Sequence, residues 1–267
     1  MATSQPFAAR LREAIERSGS LLCVGLDPSG CAGAAEAERL CAEVLEATLD
    51  HVCAVKPNAA FFAQHGSAGW AVLERLRARV PSDRMLIVDA KVGDIGTTAE
   101  AYAGALFDRL GADAVTVNPL MGEDALRPFL EWPGRGVFVL TRTSNPGAAD
   151  VLERRLDDGT PVYAHLARLA VSWDPGGAVG LVVGATAPEA IAQLRRVAPG
   201  ATLLLPGVGA QGGSVEAAIT AGLDAAGAGV VVSVSRGIAN APEGPAAAAR
   251  HWRDRIDAAR QGALAGR

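Results

Sequence analysis

The chain carries 25 basic residues, of which 23 are arginine and two, Lys56 and Lys91, are lysine. Where any cation serves, this sequence writes arginine, so the two lysines mark positions where a guanidinium would not do. An ammonium is a compact charge that can give up a proton; a guanidinium is bulky and stays charged. Lys91 lies in the run Asp89-Ala90-Lys91-Val92-Gly93-Asp94. Asp89 and Lys91 are two apart, so on a regular strand they share a face. If that face is an interior, the two must pair or be used, because an isolated buried charge costs roughly several kcal/mol. Lys56 adds a second cation and Asp94 a second anion. Alternating charges would hold each lysine protonated and fixed, able to stabilise a developing carbanion and then to protonate it. A salt bridge that merely plugs the interior is the alternative for the same residues.

Those residues need a frame that brings separate segments to one place. Short apolar, β-rich runs recur at Leu21–Asp27, Val52–Pro57, Met85–Lys91, Ala114–Pro119, Gly136–Thr141, Val179–Thr186, Ala201–Gly209 and Gly229–Ser235. Most are near-continuous, as expected of parallel strands covered on both faces. Helical patterns lie between them. Thr97-Thr98-Ala99-Glu100 fits a capping box, with Thr97 as the cap of a helix that runs to Leu110 and stops at Gly111. Thr186-Ala187-Pro188-Glu189 repeats the signature, and Asn240, Pro242 and Glu243 open the last helix. Eight βα units at this length predict an α/β fold, a (β/α)8 TIM barrel forming a single domain over residues 1–267. An open doubly wound sheet is the alternative, but no GxGxxG turn follows the first strand. The segment 142–174, with a helical stretch near Val162–Ala170, reads equally as an active-site lid or as an elaborated crossover.

In such a barrel the active site forms at the C-terminal ends of the strands. Asp27, Lys56, Asp89, Lys91, Asp94, Asn118, Thr143-Ser144-Asn145, Pro206–Gly213 and Ser235-Arg236-Gly237 all fall there, and both lysines are among them. The glycine-rich turns after strands seven and eight expose backbone N–H groups, and Arg236 adds a forked cation, which together suit a phosphate. A tight loop without a ligand is the plainer reading of Gly207–Gly213.

Composition narrows the partners. Net charge is −4 with no basic stripe, so neither nucleic acid nor an anionic membrane is expected. The longest charge-free stretch, Val197–Val215, is broken by prolines and glycines and cannot span a bilayer. The N-terminal residues alternate charge without an apolar secretory core, so a soluble, cytoplasmic chain is expected. Cys23, Cys31, Cys41 and Cys53 form no CxxC pair, and His51, His65, His165 and His251 share no metal spacing. Two thiols buried in strands, two ordinary ones and no metal site follow.

The run Asp89-Ala90-Lys91-Val92-Gly93-Asp94-Ile95 resembles the DxKxxD signature of the orotidine 5′-phosphate decarboxylase family. The likeness extends through Val24–Pro28, Val55–Asn58, Asp94–Tyr102, Thr116–Pro119, Thr143–Gly147, Pro206–Gly213 and Ser235–Ile238, nearly the whole chain, and is nearest to the family's bacterial long-chain branch. The resemblance implies conversion of orotidine 5′-monophosphate to uridine 5′-monophosphate and CO2, the last step of de novo pyrimidine synthesis, with no cofactor and no metal. It implies that Lys91 stabilises and protonates the C6 carbanion, that Asp89 stands beside the substrate carboxylate, and that Lys56 and Asp94 complete a charged tetrad. It further implies a homodimer with shared active sites, Asp94 reaching across the interface with Ile95 and Thr98. Asp27 and Lys56 match ribose contacts and Ser144 the pyrimidine contact. Gln211, Arg236 and the adjoining Gly237 match the clamp on base and phosphate. Gly96 and Ser235 stand where many members have proline and glycine, and neither change removes a functional group. Two rivals share the motif or the fold: a superfamily sugar-phosphate lyase of the hexulose-phosphate synthase or keto-gulonate-phosphate decarboxylase type, and a non-catalytic nucleotide-binding barrel. The first needs an acidic metal ligand on the second strand, which here ends in Lys56-Pro57. The second predicts the loss of a tetrad member, and all four are present.

Overall fold

The computed structural model describes residues 5–174, 176–209 and 212–266. Eight parallel strands close into a barrel in sequence order: β1 (Leu22–Leu26), β2 (Ala54–Pro57), β3 (Met85–Val92), β4 (Ala114–Val117), β5 (Gly136–Arg142), β6 (Val179–Val183), β7 (Thr202–Pro206) and β8 (Val230–Val234). Each expected strand is present, mostly trimmed at its ends. β8 pairs with β1 through Cys23 opposite Ser233, so no edge is left unpaired.

Alternation along each strand sorts two cores. Leu86 and Val88 of β3 face the surrounding helices and join the main cluster, whereas Met85 and Ile87 point inward. The inward set includes Cys23, Ala114, Phe138, Val182, Leu204 and Val231, and it is closed from below by α1 (Phe7–Ser18). α1 places Phe7, Leu11 and Ala14 on one stripe, the i, i+4, i+7 pattern of an amphipathic helix, and all three are buried. The Phe7 ring meets Phe138 edge to face at 5.8 Å. Gly136 leaves room for this pair, since a Cβ there would lie 2.5 Å from the Phe7 ring. Asp113, 3% exposed in its side chain, ties the same end together: it pairs with Arg10 at 2.5 Å and accepts from the Leu86 N–H at 2.9 Å.

Several local expectations change. The helix Gly96–Ala103 starts one residue before Thr97, behind Ile95 and without a side-chain cap, so Thr97 lies inside the first turn. The wider π turn Gly104–Arg109 continues it up to the region of Gly111. Thr186 does not cap either: the next helix begins at Pro188 behind Ala187, and the Thr186 hydroxyl accepts from Arg142 at 3.3 Å. In both places a threonine at the right spacing lost to the backbone path that the barrel imposes. Side-chain caps occur instead at Asn58, which accepts from the Ala60 N–H, and at Ser214, which accepts from the Ala217 N–H. The last helix is Pro245–Ala265, entered from Gly244 rather than Asn240. Three thiols are buried rather than two, Cys23 in β1, Cys53 just before β2 and Cys41 on the helix Ala34–Thr48. Within 142–174, the helix Val162–Ser172 packs on β5 and β6 as a crossover helix.

Candidate active site

Toward the C-terminal ends of β3, β4 and β8 the inward positions change from apolar to polar. Above Ile87 comes Asp89; above Ala114 comes Thr116; above Val231 comes Ser233. Above this layer opens a cavity of about 570 Å³. Asp27, Lys56, Asp89, Lys91, Ser144, Arg236 and Gly237 all line it, so seven of the residues singled out from sequence converge. Asn58, Phe61, Leu140, Val182 and Leu204 add a partly apolar wall that sequence reasoning missed. For Leu140, Val182 and Leu204 the signal was available in principle, because each lies two beyond another inward position along its strand, whereas Asn58 and Phe61 come from the short helix that follows β2 and its cap. A second groove, about 710 Å³ and open, runs between the helices Gly96–Ala103 and Glu123–Leu130 and holds none of the strand-end lysines.

The charges are organised around Asp89. Its Oδ2 accepts from Lys56 Nζ at 2.9 Å, and its Oδ1 accepts from Lys91 Nζ at 2.5 Å and from the Thr116 hydroxyl at 2.9 Å. Lys56 is 5% exposed, whereas nearly half of the Lys91 side chain reaches solvent in the open cavity. Burial works against both partners of the deeper pair. The carboxylates of Asp89 and Asp27 outweigh it and hold Lys56 above the ordinary lysine pKa; Lys56 and Lys91 hold the Asp89 carboxyl well below the usual carboxylate range. The sign of each linkage follows. Asp89 stabilises the fold above the ordinary carboxylate pKa and ceases to as pH falls through its depressed value. Lys56 contributes below the ordinary lysine pKa and ceases to as pH rises through its raised one. Between those limits, which include neutrality, the pair stays ionised.

Strand alternation is not what brings Lys91 to Asp89. Val88 stands opposite Val115 and Val92 opposite Val117, so four residues of β3 span two of β4. The extra length is a bulge, and within it Lys91 adopts φ +50°, the left-handed region. A non-glycine residue there costs on the order of 1–3 kcal/mol, and such strain persists where the surroundings over-determine it. The Lys91 N–H leaves the ladder and donates instead to the Thr116 hydroxyl at 2.9 Å. The regular-strand expectation therefore reached the right neighbours through the wrong geometry.

Other groups await partners. Asp27 Oδ1 is buried without a hydrogen-bond partner, which marks it as an acceptor for a donor the cavity would receive. Arg236 opens the short helix Arg236–Ala239 at the cavity rim and forms no ion pair among the described residues. Behind it, Trp252 donates to the Gly237 carbonyl at 3.1 Å and packs against Gly209, linking the turns after β7 and β8. Asp94, Ile95 and Thr98 do not line the cavity. Asp94 accepts from the Ile95 N–H at 2.9 Å, Ile95 is 55% exposed, and Thr98 is exposed on the first helical turn. Gln211 lies outside the described residues.

The family model for the orotidine 5′-phosphate decarboxylase / HUMPS family matches residues 20–252. An orotidine 5′-phosphate decarboxylase of Roseiflexus castenholzii is 48% identical over 267 residues, 95% of this chain and 98% of that protein. One from Thermomicrobium roseum is 46% identical over 273 residues, 96% of each. The structure of Leishmania donovani OMP decarboxylase superposes with a TM-score of 0.90 at 43% identity, covering 96% of this chain and 99% of that one. With Asp89, Lys91 and Lys56 joined at the mouth of a closed barrel, and likeness of this extent in both sequence and fold, the chain belongs to the orotidine 5′-phosphate decarboxylase / HUMPS family.

Proposed function

We propose that this protein decarboxylates orotidine 5′-monophosphate to uridine 5′-monophosphate, and that it does so as a cytoplasmic homodimer. The observation that carries the proposal is the Lys56–Asp89–Lys91 cluster at the barrel mouth, in a chain 48% identical to a decarboxylase of that name. In the reaction the bond from C6 to the carboxylate breaks, the electron pair stays on C6, and CO2 leaves. Lys91 then transfers a proton from its ammonium to C6 and is reprotonated from solvent. Asp89 crowds the departing carboxylate with like charge while holding both ammonium groups in place. The product of the bond cleavage is a vinyl anion without resonance stabilisation, so the enzyme must supply roughly 20 kcal/mol, near the top of the usual range. One ammonium does not suffice. Contacts far from C6 must close the site and exclude water.

Those contacts have candidates. The orphaned Asp27 oxygen and Lys56 suit ribose hydroxyls, Ser144 and Gln211 suit the pyrimidine, and Arg236 with the Gly237 backbone suits the phosphate. Asp94, Ile95 and Thr98 fit the role of groups lent to a second copy. The exposed apolar side chains Ile95, Leu120 and Met121 support that reading, since Met121 packs beside Gly93 in the same loop region and a partner would cover them. Among the described residues no helix is long and apolar enough to cross a membrane.

The test is direct. The purified chain is expected to turn over orotidine 5′-monophosphate, followed by ultraviolet absorbance, at an unchanged rate in excess EDTA. Absence of turnover would instead favour a sugar-phosphate lyase or a non-catalytic nucleotide-binding barrel, and a rate abolished by EDTA and restored by Mg²⁺ would overturn the metal-free mechanism. Arg236→Ala is expected to raise KM for the nucleotide, each lost charge-assisted bond costing about 1.5–3 kcal/mol. The dephosphorylated nucleoside should be a poor substrate for both enzymes, and almost equally so. If the substitution hurt orotidine as much as its phosphate, Arg236 would not be the phosphate clamp.

A further inference from the structure

We infer that Thr116 is a positioning residue that sets the geometry of Lys91 and Asp89 for the reaction. This rests on the decarboxylase reading above. Thr116 is the second inward position of β4, 1% exposed, and it is the one hydroxyl in the strand Ala-Val-Thr-Val. Its oxygen accepts from the Lys91 N–H and its proton goes to Asp89 Oδ1, each at 2.9 Å. One side chain thus grips the backbone of the lysine and the carboxylate of the aspartate at once.

The arrangement answers a need created by the bulge. Where β3 runs two residues long against β4, the Lys91 N–H has no ladder carbonyl, and regular pairing resumes only when the Asn118 N–H donates to the Val92 carbonyl at 2.8 Å. Lys91 stays at φ +50° because something in the wall of the barrel holds its N–H there. Released, the residue would relax toward negative φ and carry its ammonium away from Asp89. Lys56 and Lys91 supply the charge on Asp89, but two flexible ammonium groups do not define the plane of a carboxylate. The short, buried hydroxyl does, since a threonine has one stiff torsion. Thr116 therefore acts on the reacting end of the site and leaves the Arg236 end alone.

The experiment compares Thr116→Val, which keeps the shape and deletes both hydrogen bonds, with Thr116→Ser, which keeps the hydroxyl. Thr116→Val is expected to lower kcat by about 10- to 100-fold, the scale of a displacement near 1 Å at a reacting centre. Its affinity for uridine 5′-monophosphate, measured by calorimetry, should stay within about threefold, because phosphate and ribose contacts dominate product binding. Thr116→Ser should keep kcat within about threefold of the parent enzyme. If Thr116→Val fails to fold, Thr116→Ala deletes the same bonds without adding a methyl to the wall and serves the same comparison. An unchanged kcat in Thr116→Val, an equal loss of kcat and product affinity, or a serine variant as slow as the valine variant would each overturn the inference. An inactive parent enzyme would count against the decarboxylase reading instead.

Discussion

Lys91→Ala is expected to lose roughly five decades of kcat/KM for orotidine 5′-monophosphate. Removing a proton donor costs about two to four decades, and removing a positioned charge at the developing anion costs about two to three more. Asp89 keeps Lys56 and Thr116 as partners, so the site should not collapse. Alanine at φ +50° is itself strained, and Lys91→Gly, free of that strain, is the control. Both variants should be equally inactive and should bind the product nucleotide. Lys91→Arg should not rescue, because a guanidinium does not readily yield its proton and does not fit. Near-parental turnover in any of the three would remove Lys91 from the mechanism.

The second large effect concerns pairs of chains. Asp94 follows Lys91 by three residues, yet its carboxylate turns to its own Ile95 N–H and stays out of the cavity that Lys91 lines. If it serves the neighbouring copy, Lys91→Ala and Asp94→Ala homodimers should each be nearly dead. After unfolding and refolding in equal amounts, half of the dimers should be mixed. In a mixed dimer one site collects both defects, while the other joins an intact Lys91 to the partner's intact carboxylate. Random pairing in a two-fold symmetric dimer then returns about a quarter of the parental activity. The readout is activity against the mixed-dimer fraction, measured with two affinity tags. Zero recovery with mixed dimers present would mean that each chain completes its own tetrad.

The barrel was legible because its determinants are local and repeated. Eight apolar runs buried on both faces, separated by helical patterns, leave little else for a chain of this length to form. The candidate site was legible for a related reason. A closed parallel barrel collects its strand ends at one mouth, so naming the residues at those ends was enough to assemble Asp27, Lys56, Asp89, Lys91, Ser144, Arg236 and Gly237. The scarcity of lysine then separated Lys56 and Lys91 from an arginine-rich background.

Tertiary structure decided what depends on a neighbour. The Thr97 and Thr186 spacings encode caps, but the backbone entering each helix is set by the strand before it, and neither cap forms. α1 carries an apolar stripe at i, i+4 and i+7, but that this stripe plugs the barrel floor follows from the space Gly136 leaves for Phe7. The site shows the same division most clearly. Counting by twos along a strand puts Asp89 and Lys91 together, and they are together. The count assumes a regular ladder, however, and the ladder between Val88 and Val92 is not regular. Its register is a relation between β3 and β4, held by a hydroxyl 25 positions away from the lysine it supports. Side-chain type and spacing along one chain determine which groups can meet. Hydrogen bonds between strands, satisfied only once the barrel closes, determine the conformation in which they do.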